Sequence, residues 1–358
     1  MTTISFEEVR KRAVGLGLDD LGIAASGESR TFPLFDRWIE AGEAGDMTYL
    51  ARQKEARRHP DSILPGVKTL LVGAVTLDRL SETPSDSFSV PPNLSSNPLP
   101  RGKKSDRADG GSANVSEDVS DAAPRGELIP YSVRADYHGD LRRKLHLLAG
   151  DLAKTWPKEK FRVVVDTAPI LEKEWAVRAG LGVIVKNSLL IHPRFGSELF
   201  LGILLTTVTP QSFIMSEPFV TPEPFTTSES FAEKKPNDDS DRADPCRDCS
   251  LCSAVCPTGA LASDRTLHAK KCLNYWLIEY QGERLPNEIR EKSGNRLFGC
   301  DTCRRVCPKN RPLPPPVTLS LKRVAAMTEE EFRSLFAGTP VERLGLARFR
   351  RNAARSGE

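Results

Sequence analysis

The apolar positions of this 358-residue chain fall into short blocks with two different spacings. Near the start, ISFEEVRKRAVGLG repeats its apolar residues at helical intervals and ends in glycines, which predicts a helix with a glycine stop. KTLLVGAVTL (68–77) is a compact apolar run rich in β-branched residues and predicts a buried strand. In DLRRKLHLLAGDL, Leu141, Leu145, Leu148 and Leu152 share one helical face. FRVVVD (161–166) predicts a strand ending at Asp166, and ILEKEWAVRAG a helix closed by Gly180, where a left-handed cap costs glycine least. SLLIHP and LFLGILLTT predict two more strands. Strands alternating with helices point to an α/β (α+β) layered domain over residues 1–209.

Two stretches interrupt this pattern. From Ser81 to about Glu127 the apolar blocks give way to Ser, Pro, Asp, Gly and Asn. A segment of that kind buries too little apolar surface to offset its ordering entropy, so 81–127 reads as a disordered insertion. Residues 210–243 read as a second, mobile polar loop. A cysteine-rich module follows at 244–312, with a helix expected from Thr266 to about Tyr280. After a PLPPP turn, residues 313–358 form a basic helical tail that includes EEEFRSLFAG, Arg343, Arg348, Arg350, Arg351 and Arg355.

Composition narrows the possibilities. With 51 basic and 48 acidic residues, the net +3 announces no nucleic-acid partner by itself. The N-terminal residues are charged within seven positions and lack an apolar core with a cleavage site. No run approaches the roughly 18 apolar residues that would span a bilayer. The expectation is a cytoplasmic, monomeric protein without a membrane partner.

The eight cysteines change the picture most: none occurs before position 246, and all lie within 62 positions. A secreted disulfide scaffold would be short and cysteine-rich throughout. Cys246-x2-Cys249-x2-Cys252-x3-Cys256-Pro257 is the run of bacterial ferredoxins, in which three thiolates bind one cluster and the fourth reaches the other. Cys300-x2-Cys303-x3-Cys307-Pro308 is a second run lacking one member, which Cys272 supplies. The arithmetic closes as two [4Fe–4S] clusters: Cys246, Cys249, Cys252 and Cys307 for the first, and Cys256, Cys272, Cys300 and Cys303 for the second. Two zinc sites would also use eight cysteines, but zinc calls neither for a third cysteine at the next step nor for the Cys-Pro after each run. Clusters carry single electrons, so the bond chemistry falls to another cofactor or to the substrate.

With VDTAPILEKEWAVRAGLG (165–182), KNSLLI (186–191), RADYHGDLRRKL (134–145) and the terminal LARFRRNAARS, the module resembles epoxyqueuosine reductases. The resemblance implies reduction of an epoxide-bearing cyclopentane on the wobble nucleoside of tRNA to queuosine. It also implies a base-off cobalamin with no histidine below the cobalt, two clusters feeding it electrons, and an external electron donor. By motif, Asp166 matches the proton donor; the plain alternative is an aspartate capping the helix that starts near Pro169. Tyr137 and His138 in ADYH match site-lining positions, with Asp136 beside them. Arg57, Asn187, Asp301 and Thr302 match positions that contact the corrin, the last two holding it close to the second cluster. Family members read GLG-aromatic-IGKNT where this chain has Gly182-Val183-Ile184-Val185-Lys186-Asn187-Ser188, so two valines replace an aromatic and a glycine. Arg348, Arg350 and Arg351 are candidates for tRNA phosphates, and Tyr275 and Trp276 for packing around the clusters. Two other readings remain open: a reductive dehalogenase-like enzyme, which would carry a twin-arginine export signal, and a ferredoxin-like electron carrier, which would not need some 240 residues ahead of its clusters.

Overall fold

The computed structural model describes residues 2–80, 124–215 and 246–354. Most of the insertion expected at 81–127 and most of the loop expected at 210–243 lie outside these residues. Four strands form the main sheet in the order Asp20–Ala25, Thr69–Thr76, Leu199–Thr206, Phe161–Val164. Every neighbouring pair is antiparallel. The layered architecture is as expected, but the sheet is of the α+β kind: helices lie between its strands in sequence without making parallel crossovers.

Both faces of this sheet are covered, so its strands read as nearly continuous apolar runs, and the period of two appears only in the packing. Leu71, Val75 and Leu204 face helices Phe6–Gly15 and Tyr137–Thr155. Leu70, Val72, Ile203 and Leu205 face helix Glu172–Arg178 around the fully buried Trp175. Gly73 and Gly202 pair directly across two strands. A Cβ on Gly202 would come within 2.7 Å of Leu145 and 3.0 Å of Leu141, so the two glycines make the trough in which the long helix lies.

A second, smaller sheet joins distant segments. Arg125–Leu128 pairs parallel with Arg296–Phe298 and antiparallel with Val317–Ser320. The insertion therefore ends in a strand, and residues 125–133 belong to the same apolar core as the tail, around Leu128, Phe298, Phe332, Phe336 and Phe349. The first layer also runs past residue 209, because Phe213–Ile214 pairs with Ile4–Ser5. The helix expected at 266–280 is instead a tight turn at Ala269–Lys271 and a wide helical turn at Tyr275–Glu279. Cys272 between them is extended (φ −71°, ψ 129°), as a residue must be to turn its sulfur away from a continuing helix.

Candidate active site

A cavity of about 1630 Å³ opens between the main sheet, the small sheet and the cysteine loops. It exceeds the roughly 300–1,000 Å³ of an ordinary small-molecule site. Asp166 stands on its wall, two residues beyond the end of strand Phe161–Val164, with φ 52°. The helix that follows starts at Glu172, and its cap residue is Leu171, without a side-chain cap bond. Asp166 is thus not a cap. Its Oδ2 lies 2.9 Å from His138 Nε2, while His138 Nδ1 lies 2.6 Å from Asp136 Oδ1. Asp136 is itself the cap of the long helix, accepting from the His138 backbone N–H.

Carboxylates only accept, so both ring nitrogens of His138 donate when the imidazole is charged. Burial disfavours that charge, but the bonds to Asp136 and Asp166 outweigh it and raise the His138 pKa above its usual value. Asp136 is correspondingly lowered: burial pushes its pKa up, and the hydrogen bond and charge of His138 more than reverse this. Arg343, 205 residues away in the tail, brings Nη2 to 3.1 Å from His138 Nδ1 and Nε to 3.4 Å from Asp136 Oδ2. Tyr137 stacks on His138 (4.1 Å between ring centres) and on Phe200 (4.3 Å), which fixes the imidazole plane.

Of the residues matched by motif, Arg57, Tyr137 and Asp166 line the cavity, and His138 stands directly behind Asp166. Arg57 is buried; its guanidinium donates to the Gln53 carbonyl and sits over the Phe35 ring, and desolvation lowers its pKa. Asn187, Asp301 and Thr302 are not on the cavity wall. Asn187 donates to the Cys303 carbonyl, Asp301 pairs with Arg304 at 2.8 Å, and Thr302 Oγ1 lies 3.3 Å from Cys300 Sγ. These three organise the cysteine loops.

The sulfurs gather in two groups. Cys246, Cys249, Cys252 and Cys307 line one small pocket. Among the described residues no three Cys, His, Asp or Glu side chains converge as a single metal ion would require. A cubane asks for something else, since each of its four thiolates binds a different iron. Burial, then the neighbouring Cys300, Cys272, Cys252 and Cys256, pushes the Cys303 thiol up to about 12. A thiolate there needs the positive charge of iron beside it. Val185 and Lys186 line both the large cavity and the sulfur pocket, and form the wall between them. Val185 packs on Cys246 and Ile191, while Lys186 donates to the carbonyls of Arg247 and Cys249. The valine that replaces the family glycine thus has a packing role at the first sulfur group.

The tail arginines serve the fold. Arg351 is buried and donates to the carbonyls of Trp276, Tyr280 and Gly282, Arg350 donates to Met327, and Arg348 to Leu344, Ile278 and Arg343. Arg351 is thereby committed to the fold, whereas Arg350 is exposed and Arg348 half-buried. Tyr275 and Trp276 pack as expected, edge to face at 5.2 Å, with Trp276 in the cluster that includes Cys300. Sequence reasoning missed Glu172, Lys173 and the reach of Arg343. For Glu172 there was a signal, an acid six residues past Asp166 in the same motif. For Arg343 nothing local gave one.

Comparison with known proteins agrees with this arrangement. Residues 245–310 match the family described as a 4Fe-4S double cluster binding domain. An epoxyqueuosine reductase of Pseudomonas aeruginosa is 30% identical over 95% of this chain and 81% of its own length. This chain belongs to the epoxyqueuosine reductase family. It is accordingly an oxidoreductase that binds two [4Fe–4S] clusters. A crystal structure of epoxyqueuosine reductase with an epoxyqueuosine-modified tRNA-Tyr stem loop is similar, with TM-score 0.67 at 27% identity, covering 97% of this chain and 79% of that one. So is a Bacillus subtilis epoxyqueuosine reductase seen with its catalytic aspartate loop swung out of the active site, with TM-score 0.66 at 25% identity over 97% and 79% of the two chains. No helix among the described residues is long and apolar enough to cross a membrane.

Proposed function

We propose that the enzyme reduces epoxyqueuosine to queuosine at the wobble position of tRNA, with Asp166 as proton donor. The observation that carries this reading is the Asp136–His138–Asp166 chain ending on the wall of a cavity too large for a small substrate alone. Opening the epoxide to the alkene releases its oxygen as water and consumes two electrons and two protons. In this reading Asp166 hands a proton to the departing oxygen, and His138, doubly hydrogen-bonded and favoured in its charged form, stands behind it as the next proton. Asp136 holds the imidazole in place, and the tyrosine stack keeps its Nε2 aimed at Asp166.

The cavity fits a base-off cobalamin. Its walls are largely apolar, Arg57 and Tyr137 stand on them, and none of the chain's five histidines is among its lining residues. When bound there, the corrin would supply one-electron and cobalt-centred reduction that no side chain offers. The thiolates of Cys246, Cys249, Cys252 and Cys307 would hold the first cluster, and those of Cys256, Cys272, Cys300 and Cys303 the second. An external one-electron donor completes the requirement, and the protein acts as a cytoplasmic monomer. The tRNA is expected at the mouth of the cavity, where Arg343 and Arg348 lie on its wall.

The test is conversion of epoxyqueuosine-bearing tRNA by anaerobically purified protein supplied with a cobalamin and a low-potential reductant. Queuosine should appear in the tRNA nucleosides, and only when the corrinoid is present. Full conversion without it would overturn the cofactor assignment, and no conversion with clusters and corrinoid both bound would overturn the substrate.

A further inference from the structure

Among the described residues, three that are not glycine have left-handed backbones: Asp166 (φ 52°), Ser188 (φ 63°) and Arg265 (φ 71°). All three line the large cavity. Side chains that are not glycine hold this conformation only where neighbours over-determine it. The neighbours are adjacent residues at the start of one short helix. Glu172 Oε1 accepts from the Asp166 backbone N–H at 2.6 Å, and Lys173 Nζ donates to the Ser188 carbonyl at 2.5 Å. Ser188 Oγ then approaches the Arg265 carbonyl at 3.4 Å.

We infer that Glu172 and Lys173 are positioning residues that clamp the turns at Asp166 and Ser188, so that one helix end sets the backbone of Asp166 and the stretch of cavity wall at Ser188 together. Helix Glu172–Arg178 is a firm base for such a clamp, because Trp175 and Ala176 are fully buried in the core beneath the sheet. The charges around Glu172 are those of Asp166, His138 and Lys173, with Arg57 and Tyr137 also within its electrostatic reach. Desolvation by the surrounding cavity walls, followed by the charge of Asp166, pushes Glu172 up to about 8, although its side chain is only half-buried and Lys173 beside it is exposed. In either protonation state a carboxyl oxygen of Glu172 accepts the Asp166 N–H. A neutral amide of the same shape can take its place.

Amide hydrogen exchange on the substrate-free protein tests the clamp directly. Glu172→Ala removes the acceptor, and exchange of the peptide carrying the Asp166 amide should accelerate while the strand before it stays protected. Glu172→Gln should restore protection. Lys173→Met should leave the Asp166 amide unchanged and loosen the segment around Ser188. In turnover, Glu172→Ala should lower kcat on the order of 100-fold with KM little changed, as expected when a reacting group is misplaced by about 1 Å; Glu172→Gln should return most of it. The effect on turnover rests on the role proposed for Asp166, whereas the exchange result does not. Unchanged exchange in Glu172→Ala overturns the clamp. If that variant does not fold, fast exchange at Asp166 in the folded Glu172→Gln protein overturns it equally. Accelerated exchange alongside a fully active Asp166→Asn would leave the clamp standing and remove the acid.

Discussion

Around the four-stranded sheet, apolar side chains fill both faces almost without interruption, from Phe6 and Val9 through Leu141, Leu145 and Leu148 to Trp175. Among the described residues, the cysteine module's own apolar cluster is small: Leu273, Leu277, Leu285 and Ile289. The first region can stand on hydrophobic burial. The second spends its chain on loops that aim sulfur, and it borrows stability from iron and from the tail. The cavity lies where the two meet: Asp166 and His138 come from the apolar half, and the sulfur pocket lies beyond Val185 and Lys186. A rigid half thus holds the residue proposed as proton donor, and the cluster-binding half holds the proposed electron path.

The comparison breaks most visibly on iron removal. Anaerobic chelation, or Cys252→Ser, should collapse the segment from 246 to 310 into a protease-sensitive state while the sheet peptides keep their protection from exchange. Simultaneous loss of both halves would show that burial does not hold the first half alone. Leu145→Ala acts on the other side. It empties a fully buried position over Gly73 and Gly202 and should cost about 2–5 kcal/mol in chemical denaturation, with iron content unchanged in the folded protein. Arg351→Ala cuts the tie between tail and module. It leaves the carbonyls of Trp276, Tyr280 and Gly282 without this donor and should cost roughly 1–3 kcal/mol, loosening the second cluster before the first.

The smallest effect is on pH dependence. The His138 pKa is raised in the folded protein, so its stabilising contribution is complete below the ordinary histidine value of about 6.5. It fades as pH rises through the raised folded value. A proton-detected titration should place His138 above the free imidazole, and Asp136→Asn should bring it down. An unshifted His138 in the wild type would remove the charged imidazole from the account.

Much of this was legible from local pattern. The strand expected at 68–77 is Thr69–Thr76, the four leucines of the long helix all lie in the core, and Asp166 ends up just past its strand at the site. Spacing also placed Cys307 with Cys246, Cys249 and Cys252, because the fourth cysteine of each such run reaches the other cluster. What failed was nonlocal. The small sheet pairs residues 125–128 with 296–298 and 317–320, and three strands of three or four residues leave almost no periodic signal. The segment 266–280 has helical apolar spacing, yet Cys272 must leave the helical path to present its sulfur. The burial of Arg351 on the carbonyls of Trp276, Tyr280 and Gly282 had no local signal either.

The central claim is that a proton from Asp166 completes the reduction. The direct measurement is single-turnover conversion of epoxyqueuosine-bearing tRNA by wild type and Asp166→Asn, both loaded with clusters and corrinoid and checked by absorbance. The account predicts unchanged spectra and tRNA binding with conversion slowed at least on the order of 100-fold, as for loss of a general acid. Conversion by Asp166→Asn at the wild-type rate would contradict it.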